Sequence, residues 1–270
     1  MKNQMISRAV KYYKTGGVCM RLDGKVAFIP GGTSGIGEQI AYAYAKEGAT
    51  VIVASRSKDK VDRVAAKVKE LGKGEGYVLD ITDPDAVFAA VDKIVADYGK
   101  IDIMLNSAGI YPATPVQNIS KEEFDQVVKI DMYGPFYCAQ AAALKMIEQK
   151  SGSIIFITSG QGLRGVPLMA HYSAAKGGLV ALARAMAAEL GMFNIRVNTI
   201  AAGLTTTDMV TDNMPPEFLG MIKETVPLKR LGNPEDYNET AILLGSDGGS
   251  FITGVTIPVD GGCAQADAAH

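Results

Sequence analysis

The chain has 270 residues, 47% of them apolar, so it is long enough to bury one substantial core. Its 27 Lys and Arg against 29 Asp and Glu leave a formal charge of -2, which offers no basic footprint for nucleic acid or an anionic membrane surface. Scattered cysteines (Cys19, Cys138, Cys263) and only two histidines (His171, His270) exclude a disulfide scaffold and a His-rich metal centre, so no metal and a reducing cytoplasm are expected.

No apolar run reaches bilayer-spanning length and the first residues lack a signal-peptide pattern, so neither membrane insertion nor export is expected. Residues 1–21 stand apart as an N-terminal arm. Met5, Ile6, Ala9, Val10 and Tyr13 line one face of a short basic helix before Gly16-Gly17 ends it. The readings open for it are a membrane- or partner-docking helix, a loosely attached arm, or a start codon assigned upstream of Met20.

From Lys25 onward, Val- and Ile-rich runs alternate with stretches of helical period, which predicts a doubly wound α/β domain over 22–262 and a tail over 263–270. The pattern places seven parallel strands, near Val26–Ile29, Thr50–Ala54, Gly76–Leu79, Ile101–Asn106, Ser153–Thr158, Ile195–Ile200 and Val255–Val259, with helices on both faces. After the first strand comes a turn holding Gly31, Thr33, Ser34, Gly35, Ile36 and Gly37, then apolar residues at helical spacing from Ile40. Strand, glycine turn and helix in that order aim backbone N–H groups and a helix N-terminus at a pyrophosphate. The second strand ends at Ser55-Arg56, where a carboxylate would hold an unphosphorylated adenosine ribose. A hydroxyl followed by a guanidinium suits a 2′-phosphate instead, so NADP(H) is expected, with NAD(H) as the alternative.

Further along, Ser120-Lys-Glu-Glu123 reads as a capping box and Asn233-Pro-Glu235 places Pro at a first helical position. The fifth strand runs out at Ser159, where such sheets present ligands beyond their carboxyl ends. His171-Tyr172-Ser-Ala-Ala-Lys176 then opens a long Ala-rich helix, with Tyr172 and Lys176 one turn apart on one face. A tyrosine titrates near ~10, so the Lys176 ammonium is what acid-base work at neutral pH requires of it. The loop from Gly160 to Pro167, with Gln161 and Arg164, and the segment from Leu204 to Phe218 are expected to wall the substrate pocket, with His171 beside the phenol.

These features resemble the short-chain dehydrogenases/reductases, in their single-domain form of about 250 residues, from Leu22 to Gly262. The resemblance rests on the glycine turn, Asp80-Ile81, Asn106-Ser-Ala108-Gly109, Ser159 with Tyr172 and Lys176, Arg196-Val-Asn198 through Gly203 to Thr207-Asp-Met209, and Arg230-Leu-Gly-Asn-Pro234. The segments Ile252-Thr-Gly254 and Asp260-Gly-Gly262 complete it. The resemblance implies catalysis by Ser159, Tyr172 and Lys176, with Asp131 in the fourth catalytic place. It implies cofactor contacts at the turn and at Asp80, Ile81, Asn106, Ala108, Gly109, Tyr172, Lys176, Gly203, Thr205 and Thr207. It also implies a homotetramer, or a dimer, built on the helices around Glu123–Gln149 and Tyr172–Gly191.

Three departures stand out. Pro30 replaces a Thr of the turn, Ala202 replaces a Pro, and Asp131 stands where the family has an Asn that holds a proton-relay water through its backbone carbonyl. The Asp131 carboxylate is expected to draw the Lys176 ammonium away from Tyr172 or to raise the tyrosine's pKa. The expected function is hydride transfer between NADP(H) or NAD(H) and a small-molecule ketone, sugar, polyol or 3-oxoacyl compound. The rival reading, suggested by Asp131, is a dinucleotide-binding regulator or scaffold with weakened catalysis.

Overall fold

The chain was analysed as a computed structural model, which describes residues 20–212 and 214–263. Seven strands form in the expected places: β1 (Val26–Pro30), β2 (Thr50–Ser55), β3 (Lys73–Val78), β4 (Ile103–Asn106), β5 (Gly152–Ser159), β6 (Ile195–Ala202) and β7 (Thr256–Val259). All pair in parallel, in the order β3-β2-β1-β4-β5-β6-β7. The longer helices between them are α1 (Gly35–Lys46), α2 (Lys58–Leu71), α3 (Pro84–Tyr98), α4 (Lys121–Val128), α5 (Gly134–Gln149) and α6 (Ala170–Leu190). After β6 come α7 (Asp208–Thr211), α8 (Pro216–Thr225) and α9 (Asn238–Gly245).

Alternate residues of each central strand enter opposite cores, which is why these strands are apolar on both faces. Phe28, Ile154 and Phe156 join Met104 on one side, whereas Ile29, Ile155 and Ile157 join Leu105 on the other. β1 and β4 are neighbours whose connections leave in opposite directions, so a crevice opens beyond their carboxyl ends. The amphipathic stretch of the N-terminal arm lies outside the described residues, as does most of the tail. Among the described residues, no helix is long and apolar enough to cross a membrane.

Several boundaries differ from the sequence pattern for identifiable reasons. β3 begins at Lys73 rather than Gly76, because pairing with β2 recruits the glycines: a Cβ at Gly74 would lie 2.0 Å from the Val51 carbonyl oxygen. β4 begins later than Ile101, because the Asp102 carboxylate takes the Val26 N–H at 2.8 Å. Pro30 is tolerated, since its carbonyl accepts from Ser107 N and Gly31 N donates to Ala54, both at 2.8 Å. At Ser120 only half of the capping box forms: its hydroxyl accepts from Glu123 N at 3.0 Å, while the Glu123 carboxylate turns elsewhere. The full box appears at Asn233 with Asp236, on a short 3-10 turn that leads into α9.

Candidate active site

The glycine turn sits at the mouth of the crevice. Gly31 has φ +77°, and a Cβ there would come within 2.2 Å of Ala108 N; one at Gly37 would meet the Gly31 carbonyl oxygen at 2.3 Å. Ser34 is the N-cap of α1 but its hydroxyl makes no capping bond, which leaves the first-turn N–H groups available to an anion. Thr33 is buried under the turn and donates to the Ser55 hydroxyl at 2.8 Å, tying the turn to the end of β2. A Gly31→Ala protein is expected to lose about 2 kcal/mol or more of stability and most of its dinucleotide affinity, as thermal melts and a cofactor titration would register.

Around the adenosine end, Arg56 is exposed and its charge reaches Asp80. The Asp80 carboxyl accepts from Thr82 N at 2.9 Å, and this N–H foremost holds it below the usual carboxylate range. Ile81 is buried against Gly134, and Asn106 is buried where β4 ends. Lys60, on the first turn of α2, lines the cleft.

The candidate reacting groups come from two elements. β5 delivers Ser159 at its last position, α6 carries Tyr172 and Lys176 in its first two turns, and all three are buried. The Lys176 Nζ lies 5.5 Å from the centre of the Tyr172 ring. Between α4 and α5 the backbone makes a π-turn over Lys129–Tyr133, which swings Asp131 into the site. Its carboxylate lies 3.0 Å from Lys176 Nζ and accepts from Ile110 N at 3.1 Å. Gly109 makes room for that ion pair, since a Cβ there would come 2.4 Å from Asp131 Oδ1 and 3.1 Å from Lys176 Nζ.

The electrostatics differ from the expectation that Lys176 leaves the phenol acidic. Burial foremost pushes the Tyr172 pKa up to about 12; Lys176 and Ser159 lower it, and Asp131 raises it. Burial works to lower the Lys176 ammonium, but Asp131 and Tyr172 outweigh burial and leave it raised. Burial likewise keeps the Asp131 carboxyl above its usual range despite Lys176. Asp131 and the Lys176 ammonium are thus partners in a buried ion pair beside the phenol.

His171 does not line the pocket, contrary to the reading that put it beside the substrate. It is fully buried, and its Nε2 lies 3.0 Å from Glu123 Oε1, which also accepts from the Thr114 hydroxyl at 2.5 Å. The helical period that brings Tyr172 to the cleft turns the preceding residue toward α4. Sequence reasoning missed Tyr111, whose ring meets Tyr172 edge-on at 5.0 Å and whose hydroxyl accepts from Gln161 Nε2 at 2.7 Å. Gln161 and the exposed Arg164 both line the cleft.

These groups share one cleft of about 1390 Å³, together with Ser34, Gly35, Ile36, Gly203, Thr205 and Thr207. A glycine cradle, an uncapped helix start and a volume above the ~300–1,000 Å³ of ordinary ligand pockets suit a dinucleotide plus a second reactant. A sequence model of the family described as enoyl-(acyl carrier protein) reductase matches residues 31–264. The chain is 38% identical to the 3-oxoacyl-[acyl-carrier-protein] reductase of Thermotoga maritima, over 90% of this chain and 99% of that one. It is 36% identical to meso-2,3-butanediol dehydrogenase of Serratia marcescens, over 92% and 98%. The solved structure of a short-chain type dehydrogenase/reductase from Mycobacterium marinum superposes with a TM-score of 0.86 at 34% identity, covering 91% of this chain and 97% of that one.

Proposed function

The chain belongs to the short-chain dehydrogenases/reductases, NAD(P)-dependent oxidoreductases acting on CH–OH groups, and from that membership we propose roles for its residues and a preference for NADP(H). The observation that carries the reading is the convergence of Ser159, Tyr172 and Lys176 on a cleft that also holds the uncapped start of α1. The glycine turn and the N-terminus of α1 hold the pyrophosphate, with Asn106, Ala108, Gly203, Thr205 and Thr207 around the remainder. When bound, the nicotinamide ring gives or takes the hydride. Ser159 donates to the substrate oxygen, and in reduction the Tyr172 hydroxyl gives its proton to the oxygen as negative charge develops there. In oxidation the Tyr172 phenolate takes that proton back, with the Lys176 ammonium stabilising its charge.

Ser55 and Arg56 at the end of β2, where the sequence carries no Asp or Glu, support the NADP(H) preference. Arg56→Ala is expected to raise the KM for NADPH about tenfold and leave that for NADH nearly unchanged, the loss of one charge-assisted contact. A cofactor titration coupled to a ketone panel tests both the preference and the activity. Apolar Phe124, Tyr133 and Leu144, exposed along α4 and α5, support assembly into a homotetramer. The free thiols of Cys138 and Cys263 fit a reducing cytoplasm. An assembled Ser159, Tyr172 and Lys176 favours a catalyst over a regulator or scaffold.

A further inference from the structure

Beyond Ser159 and Tyr172 the cleft carries a set of apolar side chains. On one side Tyr111, Val166 and Met169 pack with Tyr172 in a small apolar cluster. On the other, Phe218, Ile222 and Leu228 come from α8 and the chain that follows it. α8 buries none of its residues, and Phe218 and Leu228 remain 49% and 66% exposed. A helix with apolar side chains on a cleft wall and no core beneath it presents oily surface that a ligand would cover.

Several polar side chains of this chamber already hold partners within the protein. Gln161 Nε2 donates to Tyr111, Thr225 Oγ1 donates to the Ile222 carbonyl at 2.7 Å, and Thr205 Oγ1 lies 3.0 Å from the Gly203 carbonyl and 2.6 Å from Tyr237 Oη. Arg230 is paired with Asp236. One acceptor, Gln161 Oε1, lacks a partner among the described residues. The exposed rim charges, Arg164 against Asp208 and Asp212, are of mixed sign and select no charged ligand.

We propose that the ketone or alcohol handled here carries a hydrocarbon body rather than a hydroxylated one; this rests on the oxidoreductase reading above and narrows its substrate. Each hydroxyl buried in this chamber without a partner forfeits about tenfold or more in affinity. Each methylene buried against its walls gains up to about fourfold. Against the side chains of Val166, Phe218, Ile222 and Leu228 a polyhydroxy ketone finds no hydrogen-bonding atom, whereas an alkyl chain meets matching surface.

The test is kcat/KM for straight-chain 2-alkanones of increasing length, beside polyhydroxy ketones of equal carbon number. Calorimetric binding of straight-chain alkanamides, which are not reduced, runs in parallel in the presence of NADPH. The expected result is a gain of about threefold per methylene in both series, with the polyhydroxy ketones at least about a hundredfold behind. A Phe218→Ser, Ile222→Ser double variant flattens both slopes while its melting temperature stays put, since neither side chain belongs to a core. Flat slopes in the unaltered protein, or equal use of the polyhydroxy ketones, overturn the proposal. Amide affinity that climbs with length while no ketone is turned over upholds the chamber and removes the oxidoreductase reading.

Discussion

Tyr172→Phe is expected to slow hydride transfer in both directions by about 10²–10⁴-fold, the range that a positioned acid-base group supplies. The substitution removes one hydroxyl and keeps the ring, so the edge-on contact with Tyr111 and the surrounding apolar cluster remain. Because the phenol is pushed up to about 12 in the cofactor-free protein, Tyr172 is the protonated acid at neutral pH, the form that reduction uses. NADPH affinity should change by less than about twofold, since the glycine turn and the start of α1 are untouched. Single-turnover rates beside a fluorescence titration of NADPH separate the two effects. A Tyr172→Phe protein that reduces ketones within tenfold of the original rate assigns the proton to another group.

How much of this was legible without coordinates follows from where the signal is local. The strands announce themselves because both faces are buried, and Tyr172 with Lys176 because one helical turn fixes their side. The start of β3 was hidden, since Lys73-Gly-Glu-Gly76 pairs through backbone alone and only its neighbour β2 recruits it. His171 was misplaced for a related reason: the sequence shows that it adjoins Tyr172, but only the packing of α4 shows that Glu123 takes it away from the cleft. The walls of the chamber were foreseen in part, as the loop to Pro167 and the segment to Phe218, while Tyr111, Ile222 and Leu228 come from segments whose apolar residues carry no shared period. The substitution at Asp131 was visible as a departure from the family, and its consequence could be foreseen in sign though not in geometry.

That consequence can be measured by restoring the family residue. Asp131→Asn is expected to move the kinetic pKa of the Tyr172 step down by about one unit, which is about tenfold in alcohol oxidation below that pKa. The sign follows from counting charge in a buried site. With Asp131 ionised, the ion pair with Lys176 is neutral, and a Tyr172 phenolate would add an uncompensated negative charge; Asp131 accordingly works to raise the phenol. With Asn, the phenolate and the ammonium neutralise one another, so the base needed for oxidation forms at lower pH. The same shift moves the alkaline limit of reduction downward, because reduction needs the phenol protonated. On this account Asp131 is expected to favour reduction over a wide pH range. Asn keeps an oxygen for Ile110 N and for Lys176, so the fold should survive, with a lower melting temperature because Lys176 loses its buried counter-charge. A pH–rate profile in both directions is the measurement. Coincident profiles for the two proteins would mean that the carboxylate 3.0 Å from Lys176 does not reach the reacting phenol.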